Sequence, residues 1–280
     1  GLHNALLEAS RLRMDCAQVF TKNQQQWKAK PLTDEQIDQW HAARETTGIT
    51  DVVSHDSYLI NLASPDKALR EKSIGLMRIE LERCEALSIP YLVAHPGAHM
   101  GEGEAKGCRR VAGALNRLHR SLKGLAAMTL LETTAGQGTT LGRSFEQIAR
   151  IMEQVHEADR VAVCIDTAHM LAAGYDLTSH AGAEATLQQL DEVVGLERVR
   201  VVHVNDSKTP RGSQKDRHEH IGLGHIDRGA MARIVTDAHL ATVPKILETP
   251  KGTNDKGKEW DQVNLNRLRR MKPRSPKTNA

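Results

Sequence analysis

Residues 160–169 read RVAVCIDTAH. An apolar, β-branched run from Val161 to Ile165 stops at the carboxylate of Asp166, and His169 follows three positions later. A short apolar run bounded by polar residues is the mark of a strand buried on both faces of a parallel sheet. Six other runs share this build: AQVFT (17–21), TDVVSHD (50–56), IPYLVAH (89–95), AMTLLET (127–133), RVRVVHVND (198–206) and VPKILET (243–249). Amphipathic stretches separate them, at 34–45, 65–87, 107–122, 143–155 and 182–194, and two more stand at 2–13 and 259–270. Their apolar residues recur with helical period, and Asp34 and Ser144 sit where N-caps are expected.

Strands alternating with helices predict an α/β fold, and the number of units predicts a TIM (β/α)8 barrel. The alternation opens on a helix at 2–13, so the first strand is expected to be missing from this chain. A seven-strand remainder would leave two unpaired sheet edges. Residues 1–268 read as one barrel domain, and the basic, proline-containing 269–280 as a disordered tail.

Composition narrows the function. The 280 residues carry a formal net charge of +3, which permits an anionic partner without demanding one. Aromatic residues are only 3%, which argues against a surface that grips nucleic acid mainly by stacking. No apolar run approaches the ~18 residues of a membrane span, so no membrane partner is expected. Cys16, Cys84, Cys108 and Cys164 are scattered without a CxxC pair and read as reduced, small core residues.

The polar ends of the strands carry the chemistry. His55, His95, Glu132, Asp166, His203 and Glu248 each stand at or near the end of a predicted strand. In a (β/α)8 barrel all strand C-termini share one rim, so these groups would converge. His169, on the loop leaving its strand, and Asp216 with His218 in KDRHEH (215–220) bring the set to five histidines and four carboxylates. Two apart in an extended loop, Asp216 and His218 would face the same way. Mixed imidazole and carboxylate donors suit zinc of the catalytic type, whereas magnesium and calcium prefer oxygen alone. His3, His41, His119, His156, His180 and His239 read as ordinary core or surface residues. His99, His220 and His225 lie near the ligand motifs and are candidates to stand behind the ligands.

The motifs SHDSYLINLA (54–63), AHPGAH (94–99), LETTAGQG (131–138), VCIDTAHMLAAGYD (163–176), HVNDSK (203–208), DRHEHIGLG (216–224) and ILET (246–249) together resemble the endonuclease IV family of apurinic/apyrimidinic endonucleases. The resemblance runs from about residue 1 to about residue 250. It implies a trinuclear zinc site. His55, His95 and Glu132 would hold one ion. Glu132, Asp166, His203 and Glu248 would hold a second, and His169, Asp216 and His218 a third. Manganese could replace one of the three Zn2+. The implied activity is hydrolysis of the phosphodiester 5′ to an abasic site in double-stranded DNA. It leaves a 3′-hydroxyl and a 5′-deoxyribose phosphate, with clearing of blocked 3′ ends alongside. Glu132 and Glu248 would orient the nucleophile or move its proton. The loop FTKNQQQW (20–27), with Asn23, Gln24 and Gln25, and Tyr58 match the family's DNA-contacting segments, while Trp27 reads as packing. Gln25 stands where the family pattern has Arg, which predicts weaker or more salt-tolerant DNA binding. The resemblance further implies a monomer, without a protein partner, working in the cytoplasm at the nucleoid. Two alternatives are a sugar isomerase or epimerase on the same metal-binding barrel, and an abasic-DNA binder that does not cut.

Overall fold

The computed structural model describes residues 1–271. Its strands are β1 (Cys16–Val19), β2 (Asp51–His55), β3 (Tyr91–Ala94), β4 (Met128–Glu132), β5 (Val161–Asp166), β6 (Val199–His203), β7 (Asp206–Ser207), β8 (His218–Glu219) and β9 (Lys245–Ile246). The helices are α1 (Asn4–Arg11), α2 (Asp34–Thr47), α3 (Lys67–Ala86), α4 (Glu104–Ser121), α5 (Phe145–Met152), α6 (Thr167–Ala173), α7 (His180–Val193), α8 (Arg228–Val235) and α9 (Trp260–Arg269).

Seven strands form one parallel sheet in the order β1-β2-β3-β4-β5-β6-β9, rolled into a nearly closed barrel. β1 and β9 are its edges. They approach through side chains, with the Cys16 thiol 3.5 Å from the Lys245 carbonyl oxygen. A cleft of about 440 Å³ opens between them, lined by Met14, Cys16, Gln18, Leu247 and Glu248 among others. The seven-strand barrel expected from the alternation is therefore what the chain forms.

Strand alternation sets the two layers of core. Val52, Leu92, Leu131, Val163 and Val202 point outward and pack beneath the helices, together with Trp40, Met77, Leu115 and Phe145. Val53, Val93, Leu130, Ala162, Cys164, Val201 and Ile246 point inward and fill the barrel. All four cysteines are unpaired thiols, and three of them are buried.

Side-chain caps start the helices. Thr33 and Gln36 form a reciprocal capping box at α2, so the cap lies one residue before the expected Asp34. Ser144 caps α5 as expected. Several elements depart from the sequence reading, among them the β7–β8 hairpin, where one strand at 198–206 and a loop at 215–220 were expected. Residues 167–173 form α6 where a loop was expected, and α8 was not anticipated, because a short helix offers too few turns to show a period. β9 is only two residues long rather than spanning 243–249. At the C-terminus α9 runs through Arg269 and Met271 packs against the core. The rest of the predicted tail, 272–280, lies outside the described residues.

Candidate metal centre

Residues i and i+2 of a strand face the same side. Two residues beyond each inward core residue, the chain changes chemistry: Val53 is followed by His55, Val93 by His95, Leu130 by Glu132, Cys164 by Asp166, Val201 by His203, and Ile246 by Glu248. The parity that buries the apolar floor thus aims six ligand-type side chains at one point above it. His169 arrives from the first turn of α6, whose N-cap is Asp166: the carboxylate accepts from the His169 N–H at 2.7 Å. His218 opens β8, which pairs antiparallel with β7, and Asp216 precedes it.

Glu132, fully buried, is the hub. Its Oε2 lies 3.1 Å from His55 Nε2 and 3.0 Å from His95 Nε2. Its Oε1 lies 2.9 Å from His203 Nδ1 and 3.4 Å from His169 Nδ1. Glu248 Oε2 stands 3.1 Å from the same His203 nitrogen. Asp216 Oδ1 is 3.2 Å from His169 Nε2 and 3.3 Å from His218 Nε2. The donor atoms fall into groups whose members all lie within 4.8 Å of one another: His55, His95 and Glu132; Glu132, Asp166, His203 and Glu248; Asp166, His169 and His218; and Glu132 and His203 with the thiol of Cys164. Asp166 belongs to two of them. All nine residues singled out in the sequence meet here.

The imidazoles are set up as ligands. His55 Nδ1 donates to the Asp56 carbonyl at 2.9 Å, His169 Nδ1 to the Thr133 carbonyl at 2.8 Å, and His218 Nδ1 to the Glu248 carbonyl at 3.2 Å. His203 Nε2 donates to the Gln18 amide oxygen at 2.7 Å. Each bond fixes one ring nitrogen and leaves the other facing the cluster, the arrangement expected behind metal-binding histidines.

Charge follows the same design. Burial opposes protonation of His55, but the hydrogen bond and charge of Glu132, with Asp56 and Glu248 behind, outweigh it and raise the ring to about 9. Burial likewise works against ionised Glu132 and Glu248, yet the surrounding histidines, His203 foremost, hold Glu132 well below its usual range and Glu248 at about 2. The cavity is built to keep its carboxylates ionised and to hold positive charge among them, whether as protons or as metal cations. With five nitrogen and four carboxylate donors and orienting bonds behind them, the residues present fit divalent metals of the zinc type.

Several contributors escaped the sequence reading. Gln18 bridges His203 and Glu248, donating to Glu248 Oε1 at 2.6 Å. The period-two rule would have found it, since Cys16 is inward and Gln18 is the next inward position of β1. Buried Asn205 donates to Asp166 Oδ2 at 2.6 Å and accepts from the Glu248 N–H at 2.8 Å. Buried Asp206 accepts four backbone N–H groups, from Ser207, Gly222, Gly224 and Ile226, and so shapes the turn after His218. A Cβ at Gly224 would stand 2.3 Å from the Ser207 carbonyl, which bars side chains there. Of the three histidines expected behind the ligands, only His220 is buried close to them; His99 accepts from the Gly103 N–H and His225 is exposed.

Tyr58 is 64% exposed beside the cluster, its ring 5.8 Å from that of His55. The β1–α2 loop presents exposed Asn23 and Gln25, whereas the side-chain oxygen of Gln24 is buried. Buried Glu80 of α3 anchors the region: it accepts from the Ser57 N–H and lies 3.8 Å from Lys22 Nζ. Trp27 packs on the core beneath Lys72, whose ammonium sits 4.1 Å above its ring, so its role is packing.

Comparison with known proteins places this geometry. Residues 6–271 match the family described as Xylose isomerase-like TIM barrel. A protein of Chloroflexus aggregans named probable endonuclease 4 is 48% identical over 271 residues, covering 97% of this chain and 94% of its own. The crystal structure of endonuclease IV from Thermus thermophilus superposes with a TM-score of 0.83 at 34% identity, covering 96% of this chain and 93% of that one. D-psicose 3-epimerase from Clostridium cellulolyticum matches with a TM-score of 0.70 over 97% of this chain and 94% of that one, but at 15% identity it shares the fold alone. Similarity of this extent to endonuclease 4 proteins, on a barrel matched across nearly its whole length, means that the chain belongs to the endonuclease IV family of the xylose isomerase-like TIM barrels.

Proposed function

We propose that the chain is an AP endonuclease of base excision repair. It hydrolyses the phosphodiester 5′ to an abasic site in duplex DNA, leaves a 3′-hydroxyl and a 5′-deoxyribose phosphate, and clears blocked 3′ ends. Its membership of a family of nucleases supports hydrolysis of DNA phosphodiesters. The observation that carries the finer reading is the convergence of nine imidazole and carboxylate donors around Glu132 on one rim.

Three zinc ions suit this donor set, and manganese could take the place of one. His55, His95 and Glu132 would hold the first, Glu132, Asp166, His203 and Glu248 the second, and His169, Asp216 and His218 the third. When bound, such cations offset charge growing on phosphate oxygens and acidify water. Glu132, buried and facing imidazoles with both oxygens, serves to bridge and orient. Of the two, Glu248 has the more exposed side chain, at 22%, and is steadied by Gln18, so it is the one a water approaching the phosphate can reach and be oriented by.

Selection of the lesion rests on shape. A nucleotide without a base is cheaper to extrude, because little stacking and no pairing is lost. Tyr58, Asn23 and Gln25 stand exposed to meet the distorted duplex, and Gln24 supports their loop from within, its carbonyl accepting from Ser57 Oγ at 2.5 Å. No observation favours a sugar epimerase beyond the shared fold.

The test is incision of a labelled duplex carrying one abasic analogue, with added zinc, beside an undamaged duplex and the Glu132→Gln variant. A single cut 5′ to the lesion, lost in the variant, is the expected result. Binding to the abasic duplex without a cut, by a folded and metal-loaded chain, would overturn the reading in favour of a non-cutting lesion binder.

A further inference from the structure

The ligands do not stand on equal footings. His55 and Glu132 end five-residue strands whose neighbours pair on both sides, and the ladders fix them. His218 and Glu248 have much less. β8 is two residues long and paired only to β7, and Glu248 stands two residues beyond the two-residue β9. On the inner side Asn205 accepts the Glu248 N–H and His218 Nδ1 bonds the Glu248 carbonyl; on the outer side both segments rest on α9.

We propose that Asn264 of α9 is a positioning residue that clamps the Glu248 strand end to the His218 hairpin, and thereby steadies the metals those two residues bind; the inference rests on the metal-site reading above. Asn264 is fully buried and lies with Trp260 and Arg267 on one helical face, spaced four and three residues apart. Its Oδ1 accepts from the Ile221 N–H at 3.1 Å. Its amide N–H groups donate to Thr249 Oγ1 at 2.9 Å and to His220 Nδ1 at 3.1 Å. Thr249 follows Glu248 directly, and His220 lies two residues beyond His218. One side-chain amide therefore ties both ligand-bearing segments and leaves no bonding capacity idle apart from one acceptor lone pair.

The rest of the face supports it. Trp260 stacks on His220 with ring centroids 3.7 Å apart at 10°. Arg267 donates to the Ile221 carbonyl, and the Trp260 N–H donates to the Gly252 carbonyl at 2.9 Å. Because these bonds are inside the fold, replacing Asn264 leaves Thr249 and Ile221 with buried groups unpaired and loosens the two segments, which the bond from His218 Nδ1 to the Glu248 carbonyl still joins.

The experiment loads the full chain with zinc and follows release to a chromophoric chelator, beside kcat and KM on the abasic duplex. In Asn264→Leu, of similar volume but unable to hydrogen bond, a fraction of the zinc should leave about 10- to 100-fold faster, the usual cost of losing a residue behind the ligands. The remaining zinc, on the His55 and His95 side, should leave at the parental rate. kcat should fall while KM holds, and Asn264→Asp, which keeps the acceptor for Ile221 and can accept from Thr249, should recover most of both. Asn266→Gly, on the exposed face of α9, weakens the helix without touching the clamp and should leave zinc release unchanged. Should Asn264→Leu fail to fold, Thr249→Val removes the Thr249 bond alone and must show the same biphasic release. Uniform loss of all zinc, parental release from Asn264→Leu, or equal effects from Asn266→Gly would overturn the proposal. Biphasic zinc release in a chain whose parent cuts no abasic DNA would sink the nuclease reading and leave the clamp standing.

Discussion

The floor and the rim of the barrel are built from the same strands, with the same parity, one register step apart. At the floor, Val53, Val93, Leu130, Ala162, Cys164, Val201 and Ile246 close the interior with apolar contact. At the rim, His55, His95, Glu132, Asp166, His203 and Glu248 fill the same inward positions with groups that water would hold well. The floor gains from burial and needs no partner of defined geometry. The rim loses solvation, and regains it only through partners at hydrogen-bonding or metal-binding distance. Stability and chemistry are thus stacked along one axis, and substitutions should separate them.

Glu132→Gln gives the largest contrast. Losing the charge that faces four imidazoles should lower incision by about 10²- to 10³-fold, by analogy with removing one preorganised electrostatic group. The variant's far-ultraviolet circular dichroism should match the parent's. Retention of more than a tenth of the activity would break the contrast. Leu130→Ala, one step below on the same strand, should do the reverse. It should cost about 2–5 kcal/mol in urea unfolding through the cavity left behind, with kcat close to parental below the transition. A loss of activity without a loss of stability would mean that floor and rim are not separable.

Gln18→Leu tests whether the rim extends to β1. Removing the amide between His203 and Glu248 should weaken zinc affinity by about 10- to 100-fold, read by competition with a chelator. Gln25→Arg, on the exposed loop, should tighten abasic-duplex binding and steepen its salt dependence by about one unit of slope; a parallel salt plot would remove Gln25 from the DNA contact.

The smallest effect concerns a buried histidine that belongs to neither layer. Burial and the charge of Arg160 push His119 down to about 4, the opposite of His55. His119 is 2% exposed, and its Nδ1 finds no hydrogen-bond partner among the described residues. Its ring is neutral in the folded chain and takes up a proton on unfolding below about pH 6.5. Its contribution is therefore whole above that pH and is lost as the pH falls toward 4. His119→Leu should raise the thermal midpoint relative to the parent more at pH 5 than at pH 7, by a few degrees. An equal difference at both values would assign the effect to packing alone.

Much of this was open to reading in the residues. Apolar runs ending in His or a carboxylate identify parallel strands with a common rim, because only burial explains the run and only convergence explains its end. The sequence by itself therefore determined the barrel, from the alternation of its segments, and singled out nine candidate donors at the segment ends, which the fold brings together. It left out what depends on contact between segments. Asn205 and Asn264 look like any amide in the chain, and each acquires its role from partners brought to it by the fold. The short α6, which turned His169 from a loop residue into a helical one, was invisible because a helix of seven residues is stabilised by packing and by its Asp166 cap rather than by period. Likewise the choice between Glu132 and Glu248 as the carboxylate that orients the water could be argued only once their burial was known, for exposure is a property of the fold. Local chemistry is written in the order of residues; the partners that steady it are decided only where the chain meets itself.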